Sequence, residues 1–178
     1  MSERELILGC IREDRDCQLE VFQRYSGKML SVCLRYARHQ MEAEDILQDA
    51  FIKVFDNLEK FQHKGSFEGW IRRIVVNTAL KNFQKSSVKN ERIGLEDYED
   101  QALEPEVISN MGEKEILKLI SQLPDGYRHV FNLYVIEGYS HKEIGELLSI
   151  GESTSRSQLV KARKILKNQI LKLQMIFL

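Results

Sequence analysis

Tyr139-Ser140-His141-Lys142-Glu143-Ile144-Gly145-Glu146-Leu147-Leu148-Ser149-Ile150-Gly151-Glu152-Ser153-Thr154-Ser155-Arg156-Ser157-Gln158-Leu159-Val160-Lys161-Ala162-Arg163 is the stretch on which the fold turns. Its first residues, Ser140-His141-Lys142-Glu143, form a capping box: the serine hydroxyl and the glutamate carboxylate satisfy each other's backbone donors and start a helix. That helix runs to about Leu148. A turn through 149–152 follows, and then a longer helix whose Leu159, Ala162, Ile165, Leu166 and Ile170 recur at inward spacing. A short capped helix, a brief turn and a basic helix make a helix-turn-helix order.

Upstream of this unit the spacing stays helical. Residues 113–123 read as a helix ended by Pro124-Asp125-Gly126, and 127–136 as another closed by Glu137-Gly138. Residues 86–111 have no sustained periodicity and contain Pro105, so they read as a linker. In the N-terminal half, Leu6, Ile7, Cys10 and Ile11, then Leu19, Phe22 and Tyr25, then Met29, Val32, Cys33 and Tyr36 follow 3-to-4 spacing, with a break near 12–16. Residues 41–58 form a long helix with Ile46, Leu47, Ala50, Phe51, Val54, Phe55 and Leu58 on one stripe. After a polar loop at 62–66, Phe67, Trp70, Ile71, Ile74, Val75 and Thr78 resume the pattern. Arg73, Asn77, Lys81 and Lys85 recur every four residues and so share the other face. The expectation is an all-α chain of two small helical domains, 1–88 and 113–178, joined by a flexible acidic linker at 89–112.

Charge supports this division. The 178 residues carry a formal net charge of -1, but 1–90 hold 15 basic and 13 acidic side chains, 91–112 one basic and seven acidic, and 113–178 ten basic and seven acidic. Residues 69–90 contain Arg72, Arg73, Lys81, Lys85 and Lys89 with no acid; 153–178 contain Arg156, Lys161, Arg163, Lys164, Lys167 and Lys172, again with none. A solvated helix face is the ordinary reading of one such run. Two of them, on either side of an acidic connector, also fit two surfaces for one polyanion.

Several function classes lack their residues. His39, His63, His129 and His141 are scattered, without an i,i+4 pair or H-E-x-x-H, so no zinc hydrolase is expected. There is no Gly-rich phosphate loop and no G-x-S-x-G. Asp45 and Asp49 lie four apart on a helix, but no His, Cys or further acid completes a metal or acid/base site beside them. Cys10, Cys17 and Cys33 form no C-x-x-C pair and read as reduced packing residues. No apolar run approaches the roughly 20 residues that cross a bilayer, and the charged start Met1-Ser2-Glu3-Arg4-Glu5 leads into no secretory core. The reading is a binding protein without an active site, metal or cofactor, not inserted in a membrane, with the cytoplasm as its default address.

At this point the chain resembles the extracytoplasmic-function (ECF) sigma factors, the small two-domain specificity subunits of bacterial RNA polymerase in the sigma-70 family. Residues Glu42-Ala43-Glu44-Asp45-Ile46-Leu47-Gln48-Asp49-Ala50-Phe51 are similar to region 2.2, and Phe67-x-x-Trp70-Ile71-x-x-Ile74-x-x-Asn77 to regions 2.3 and 2.4. Leu123-Pro124 with Arg128, Tyr139-Ser140-x-x-Glu143-Ile144-Gly145, and Ser153-Thr154-x-Arg156-Ser157-x-Leu159-x-Lys161-Ala162-Arg163 are similar to region 4. Departures from the usual pattern are Ser153 for a glycine, Gly145 for an alanine, Lys161 for an arginine, and an exchange of serine and glycine between 149 and 151.

The resemblance implies a protein that binds core RNA polymerase, through the β′ clamp and the β flap, and promoter DNA, and that is held by a dedicated anti-sigma factor. It turns Asp45, Gln48 and Asp49 into the polymerase dock, where acids can pair with basic residues of a partner helix. Helical spacing sets Phe67 and Trp70 on the inward stripe. The resemblance makes the loop from Phe61 to Phe67, with Asn77, a pocket for a base flipped out of the -10 element. Phe61, Lys64, Ser66 and Asn77 are then the base-side residues, with Arg73, Lys81 and Lys85 at the backbone. Arg156, Ser157, Gln158 and Lys161 would meet the -35 element, with Arg163 and Lys164 nearer phosphates. The rival is a stand-alone helix-turn-helix regulator that binds duplex DNA without a polymerase.

Overall fold

The computed structural model describes residues 1–87 and 112–176. Every regular element among them is helical, and the chain divides into two units, Met1–Ser86 and Ser87–Leu178. The linker expected at 89–112 lies, but for Gly112, outside the described residues.

The N-terminal unit begins with α1 (Glu3–Ile11), opened by a capping box between Ser2 and Glu5. The break in periodicity near 12–16 is a tight reversal: Glu13 takes a left-handed φ of 61°, and the Asp14 carboxylate then accepts from the amides of Asp16 and Cys17 to start α2 (Arg15–Tyr36). Gly9 allows the two helices to close on each other, because a Cβ there would collide with the Cys17 thiol. The His39 imidazole caps α3 (Gln40–Asp56) by accepting from the Glu42 amide at 3.2 Å. A 3-10 turn (Leu58–Lys60) and a loop lead to α4 (Phe67–Ser87).

Val21 of α2, Val54 of α3, and Ile71 and Val75 of α4 are all fully buried, so the long helices share one apolar core. Rings lock it laterally, Phe22 edge-on to Phe51 at 4.8 Å and Tyr25 edge-on to Phe67 at 5.6 Å. Cys10, Cys17 and Cys33 are buried within this unit; burial pushes the Cys10 thiol up to about 11 and the Cys33 thiol up to about 12, which suits packing and not thiolate chemistry.

The C-terminal unit runs α5 (Glu113–Ser121), α6 (Asp125–Phe131), a π-helical turn (Asn132–Ile136), α7 (His141–Leu148) and α8 (Glu152–Ile176). The sequence pattern treats 127–136 as one helix, whereas α6 starts two residues earlier and ends in the π turn. Pro124 has no amide to lose and sits directly before the first helical residue, its carbonyl accepting from Arg128 N at 2.9 Å. The π turn closes where Glu137 N reaches back five residues to the Asn132 carbonyl at 3.0 Å, with the Asn132 side chain fully buried. Leu119, Ile120 and Leu123 pack against Ala162, Leu166 and Ile170, with Ile165 partly buried beside them.

Arg128 is the buried staple of this unit. Its guanidinium donates to the carbonyls of Ser121 and Leu123 at 3.1 and 3.4 Å and to the Asp125 carboxylate at 2.8 Å, so it closes the end of α5 onto the start of α6. Between α7 and α8 the turn is tight. Ser149 is left-handed (φ 58°, ψ 41°), and a Cβ on Gly145 would stand 2.8 Å from the Ile150 carbonyl oxygen. Glycine at 145, in place of the usual alanine, is what lets this turn close so near α7.

Candidate nucleic-acid interface

In the N-terminal unit two surfaces stand out. The first is the outer side of α3. Asp45, Gln48 and Asp49 are all exposed, while Ile46 and Phe51 face the core and Phe55 is half-buried. Met41 and Ile52 continue the same line at 69% and 60% exposure. An acidic strip with an apolar residue at each end suits a partner helix that is both basic and apolar. Sequence reasoning missed Met41 and Ile52. The signal was present: two large apolar residues off the inward stripe at helical spacing from the acids.

The second surface lies around the loop at 61–66. His63 and Gly65 have φ of 55° and 101°, so two left-handed residues make the loop stand off the helices. Ser66 ends it as the cap of α4: its hydroxyl accepts from Gly69 N at 3.1 Å and its carbonyl from Trp70 N. Lys64 and Ser66 are exposed. Phe61 is only 8% exposed, its ring 4.7 Å from His63, 5.2 Å from Phe67 and 5.4 Å from Trp70 between centroids. It is the aromatic floor beneath the loop and not a free stacking surface.

Beside this floor, between the end of α3 and α4, is a cleft of about 300 Å³ lined by Lys53, Asn57, Lys60, Trp70, Ile74, Asn77, Thr78 and Lys81. Asn77 and Lys81 were expected here; Lys53, Asn57 and Lys60 were not. Lys53 is set by a contact across elements, donating to Thr78 Oγ1 of α4 at 3.1 Å, and Lys60 by a local one, donating to Asn57 Oδ1 at the start of its own turn, at 2.5 Å. Thus three ammonium groups, two carboxamides and the Trp70 indole converge on a space of nucleotide size. Because Lys53 and Lys60 sit among acids in the linear sequence, counting acid-free runs passes over them. Arg73 is exposed on α4, one turn before Asn77. The Lys85 side chain lies outside the described residues.

In the C-terminal unit the first turns of α8 present Arg156 and Ser157 outward. Arg156 is bonded to Glu152, and the Ser157 hydroxyl donates to the Thr154 carbonyl. Gln158 turns differently: it is half-buried, and its amide lies where a side chain on Gly126 of α6 would stand, at 3.4 Å. Lys161 and Lys164 are half-buried along the helix, and Arg163 is exposed with its guanidinium carbon 6.0 Å from the centre of the Tyr134 ring. Among the described residues no group of three or more His, Cys, Asp or Glu could hold a metal ion, and no helix is long and apolar enough to cross a membrane.

An all-helical unit with a nucleotide-sized basic cleft, followed by a helix-turn-helix unit with a basic second helix, defines a two-unit helical protein of a nucleic-acid-binding class. Comparison with known proteins gives that class its family. Residues 21–88 match the model of Sigma-70 region 2, and 113–166 that of Sigma-70, region 4. The chain is 31% identical to the ECF RNA polymerase sigma-E factor of Haemophilus influenzae, covering 96% of each chain, and 30% identical to the ECF RNA polymerase sigma factor SigW of Bacillus subtilis, covering 88% of this chain and 90% of that one. Its fold is like that of the sigma factor RpoE in complex with the anti-sigma factor NepR from Bartonella quintana, with TM-score 0.52 and 17% identity over 86% of this chain and 95% of that one. The chain belongs to the ECF sigma factors of the sigma-70 family, and it is a promoter-specific sigma factor of RNA polymerase. A region 2 match across the N-terminal unit favours this over a stand-alone helix-turn-helix regulator, which has no use for such a domain.

Proposed function

We propose that the two units divide promoter recognition by the state of the DNA, 1–88 taking the opened -10 element and 113–178 the duplex -35 element. The observation that carries this reading is the cleft of about 300 Å³ at Asn77, because a pocket of that size flanked by three lysines suits an unpaired base with its phosphate and not a duplex edge. Asn77 and Asn57 offer both donors and acceptors to a base edge, Trp70 supplies the flat wall, and Lys53, Lys60 and Lys81 supply the phosphate charge. Lys64 and Ser66 act from the loop, which Phe61 supports from below. Arg73 and Lys85 follow the backbone along α4.

On α8, Arg156 and Ser157 read base edges, Gln158 and Lys161 assist, and Arg163 and Lys164 sit nearer phosphates. Arg156 must exchange Glu152 for a guanine edge, so Glu152 restrains it until DNA arrives. The outer face of α3, with Asp45, Gln48 and Asp49, docks on core polymerase. Binding energy alone drives opening; the protein has no active site of its own. It works in the cytoplasm with core polymerase, and a dedicated anti-sigma factor, of the kind the Bartonella relative binds, covers it when it is idle.

Reconstitution with core polymerase and a promoter library tests the whole reading, with promoter-specific initiation as the expected result. Within it, Asp45→Lys with Asp49→Lys should abolish holoenzyme assembly while leaving the helical signal and melting temperature intact, because both side chains are exposed. A double variant that assembles at wild-type affinity would remove α3 as the dock. Asn77→Ala should slow permanganate-detected opening on duplex promoters and act less on templates already single-stranded at -10.

A further inference from the structure

Thr78 is the one polar side chain buried in the N-terminal unit among the described residues, at 2% exposure. It sits on the inward stripe of α4, whose Ile71 and Val75 are fully buried. Packing alone asks for valine at such a position, which has the same shape and leaves no hydroxyl to satisfy. The hydroxyl is used: it accepts from the Lys53 ammonium of α3 at 3.1 Å, across 25 positions of sequence. Lys53 is held at its other end too, because its backbone carbonyl accepts from Asn57 Nδ2 at 2.8 Å. A long, flexible cation is thereby fixed at both the main chain and the tip.

Thr78 and Lys53 both line the cleft of about 300 Å³ at Asn77. Among the described residues Lys53 and Lys81 have no carboxylate partner, and Lys60 is bonded to the neutral Asn57. The kind of acceptor matters. A carboxylate in place of the Thr78 hydroxyl would orient Lys53 but cancel its charge, and its burial in this core would carry a heavy desolvation penalty. A hydroxyl orients the ammonium and leaves the full charge to the cleft, at the smaller cost of burying one hydrogen-bonded polar group. A lysine with no acceptor would supply the same charge but lose more side-chain freedom when a ligand arrives.

We propose that Thr78 is a positioning residue for the opened -10 element: its hydroxyl fixes the Lys53 ammonium on the cleft wall before the unpaired nucleotide enters, and it acts on the DNA only through Lys53. The proposal rests on the reading of the cleft as the seat of that nucleotide, and goes beyond it by giving a core residue of the unit a part in affinity. Because the ordering cost of Lys53 is met in folding, Thr78 changes how well the charge is placed and not how many charges there are. Affinity and salt dependence therefore respond differently to the two residues.

The test uses assembled holoenzyme made with the full chain and a promoter already single-stranded at -10, titrated at several salt concentrations. Lys53→Met should lower affinity and reduce the salt slope by about 0.7 unit, the share of one phosphate on a single strand. Thr78→Val should lower affinity about fivefold and leave the slope as in wild type, because the charge is kept and only its placement is lost. In the Lys53→Met background Thr78→Val should change affinity by less than about twofold, since its partner is gone. Thr78→Ser, which keeps the hydroxyl, should recover most of the loss. Thermal unfolding checks that each variant is folded, and should Thr78→Val fail it, Thr78→Ala carries the same cycle. A loss from Thr78→Val that is equal with and without Lys53, or no loss at all, would overturn the positioning role, as would wild-type binding by Lys53→Met alone. Wild-type affinity and slope in Lys53→Met, Lys81→Ala and Asn77→Ala alike would instead overturn the reading of the cleft itself.

Discussion

The two units hold their long basic helices, α4 and α8, by different means. Among the described residues, the N-terminal unit buries 25 apolar side chains and a single polar one, Thr78, whereas the C-terminal unit buries ten apolar side chains and four polar ones, Arg128, His129, Asn132 and Ser155. A unit that buries so many apolar side chains can fix α4 by area alone. The C-terminal unit buries fewer, and it joins its helices with directional bonds, Arg128 between the end of α5 and α6 and Ser155 between α8 and α7. Area tolerates small shifts; directional bonds do not, and a recognition helix that must meet base edges needs the second kind of restraint.

Removing the staple is the strongest way to break this comparison. Arg128→Ala removes the buried guanidinium that bonds the Asp125 carboxylate and the carbonyls at the end of α5 and should cost about 3–5 kcal/mol. Ile71→Ala in the fully buried apolar core should cost about 2–5 kcal/mol in the other unit. The sharper expectation is that each variant lowers one of two unfolding transitions, followed by hydrogen exchange, and leaves the other in place. If Arg128→Ala moved both together, the units would not be independently stable.

A pH scan should separate the units next. In the N-terminal unit the Cys10 and Cys33 thiols and the Tyr25 phenol, the last pushed up to about 12 by burial and by its bond to Glu3, are raised in the fold. Their stability is present below the unfolded values of about 9 to 10 and is lost as pH climbs from there towards 12. In the C-terminal unit His141 is depressed by desolvation and Glu143 by the Ser140 hydroxyl and backbone. The stability they contribute is present above their unfolded values and is lost as pH falls, for His141 from about 6.5 and for Glu143 from about 4.5. Glu5 is lowered in the same way in the N-terminal unit. The discriminating windows are therefore pH 5.5–6.5, where only the C-terminal unit should weaken, and pH above 9, where the N-terminal unit should fail first.

Arg156→Ala should cost about 1–3 kcal/mol of promoter affinity and relax one -35 position, because the helix start is where a base edge is read. Lys81→Ala, in the cleft, should weaken all promoters alike and lower the salt slope by about one unit. Titration of both holoenzymes against a randomised -35 library tells them apart; a changed sequence preference from Lys81→Ala would undo the division of labour.

The smallest expected effect is a gain. Ser149 is in the left-handed region that glycine prefers, and Gly151 stands where a hydroxyl could cap α8, with only ordinary contacts awaiting a Cβ. Ser149→Gly and Gly151→Ser should each stabilise the C-terminal unit by about 1 kcal/mol. Gly145→Ala should destabilise it, since the Ile150 carbonyl leaves no room. Thermal unfolding of the three variants checks all three signs.

Much of this architecture was legible in the sequence because helix periodicity and caps are local. The Ser140–Glu143 box, the inward stripe of α3 and the break at 12–16 each depend on residues within a few positions of one another, so reading them needs no knowledge of the rest of the chain. The order of motifs and the three charge segments were equally plain, and with them the family. Which residues share a site was not, because a site gathers side chains from distant positions. Lys53 and Lys60 reach the Asn77 cleft only because α3 packs on α4, Phe61 lies under its loop only because Phe67 and Trp70 draw it in, and Gln158 turns towards Gly126 only because α6 crosses α8 there. Tyr134, His141, Ser155 and Arg163 are unrelated in sequence spacing, and packing alone brings them into contact. Local hydrogen bonds and periodicity determine the elements; the burial of apolar faces decides how the elements meet, and only that meeting decides which polar groups stand together.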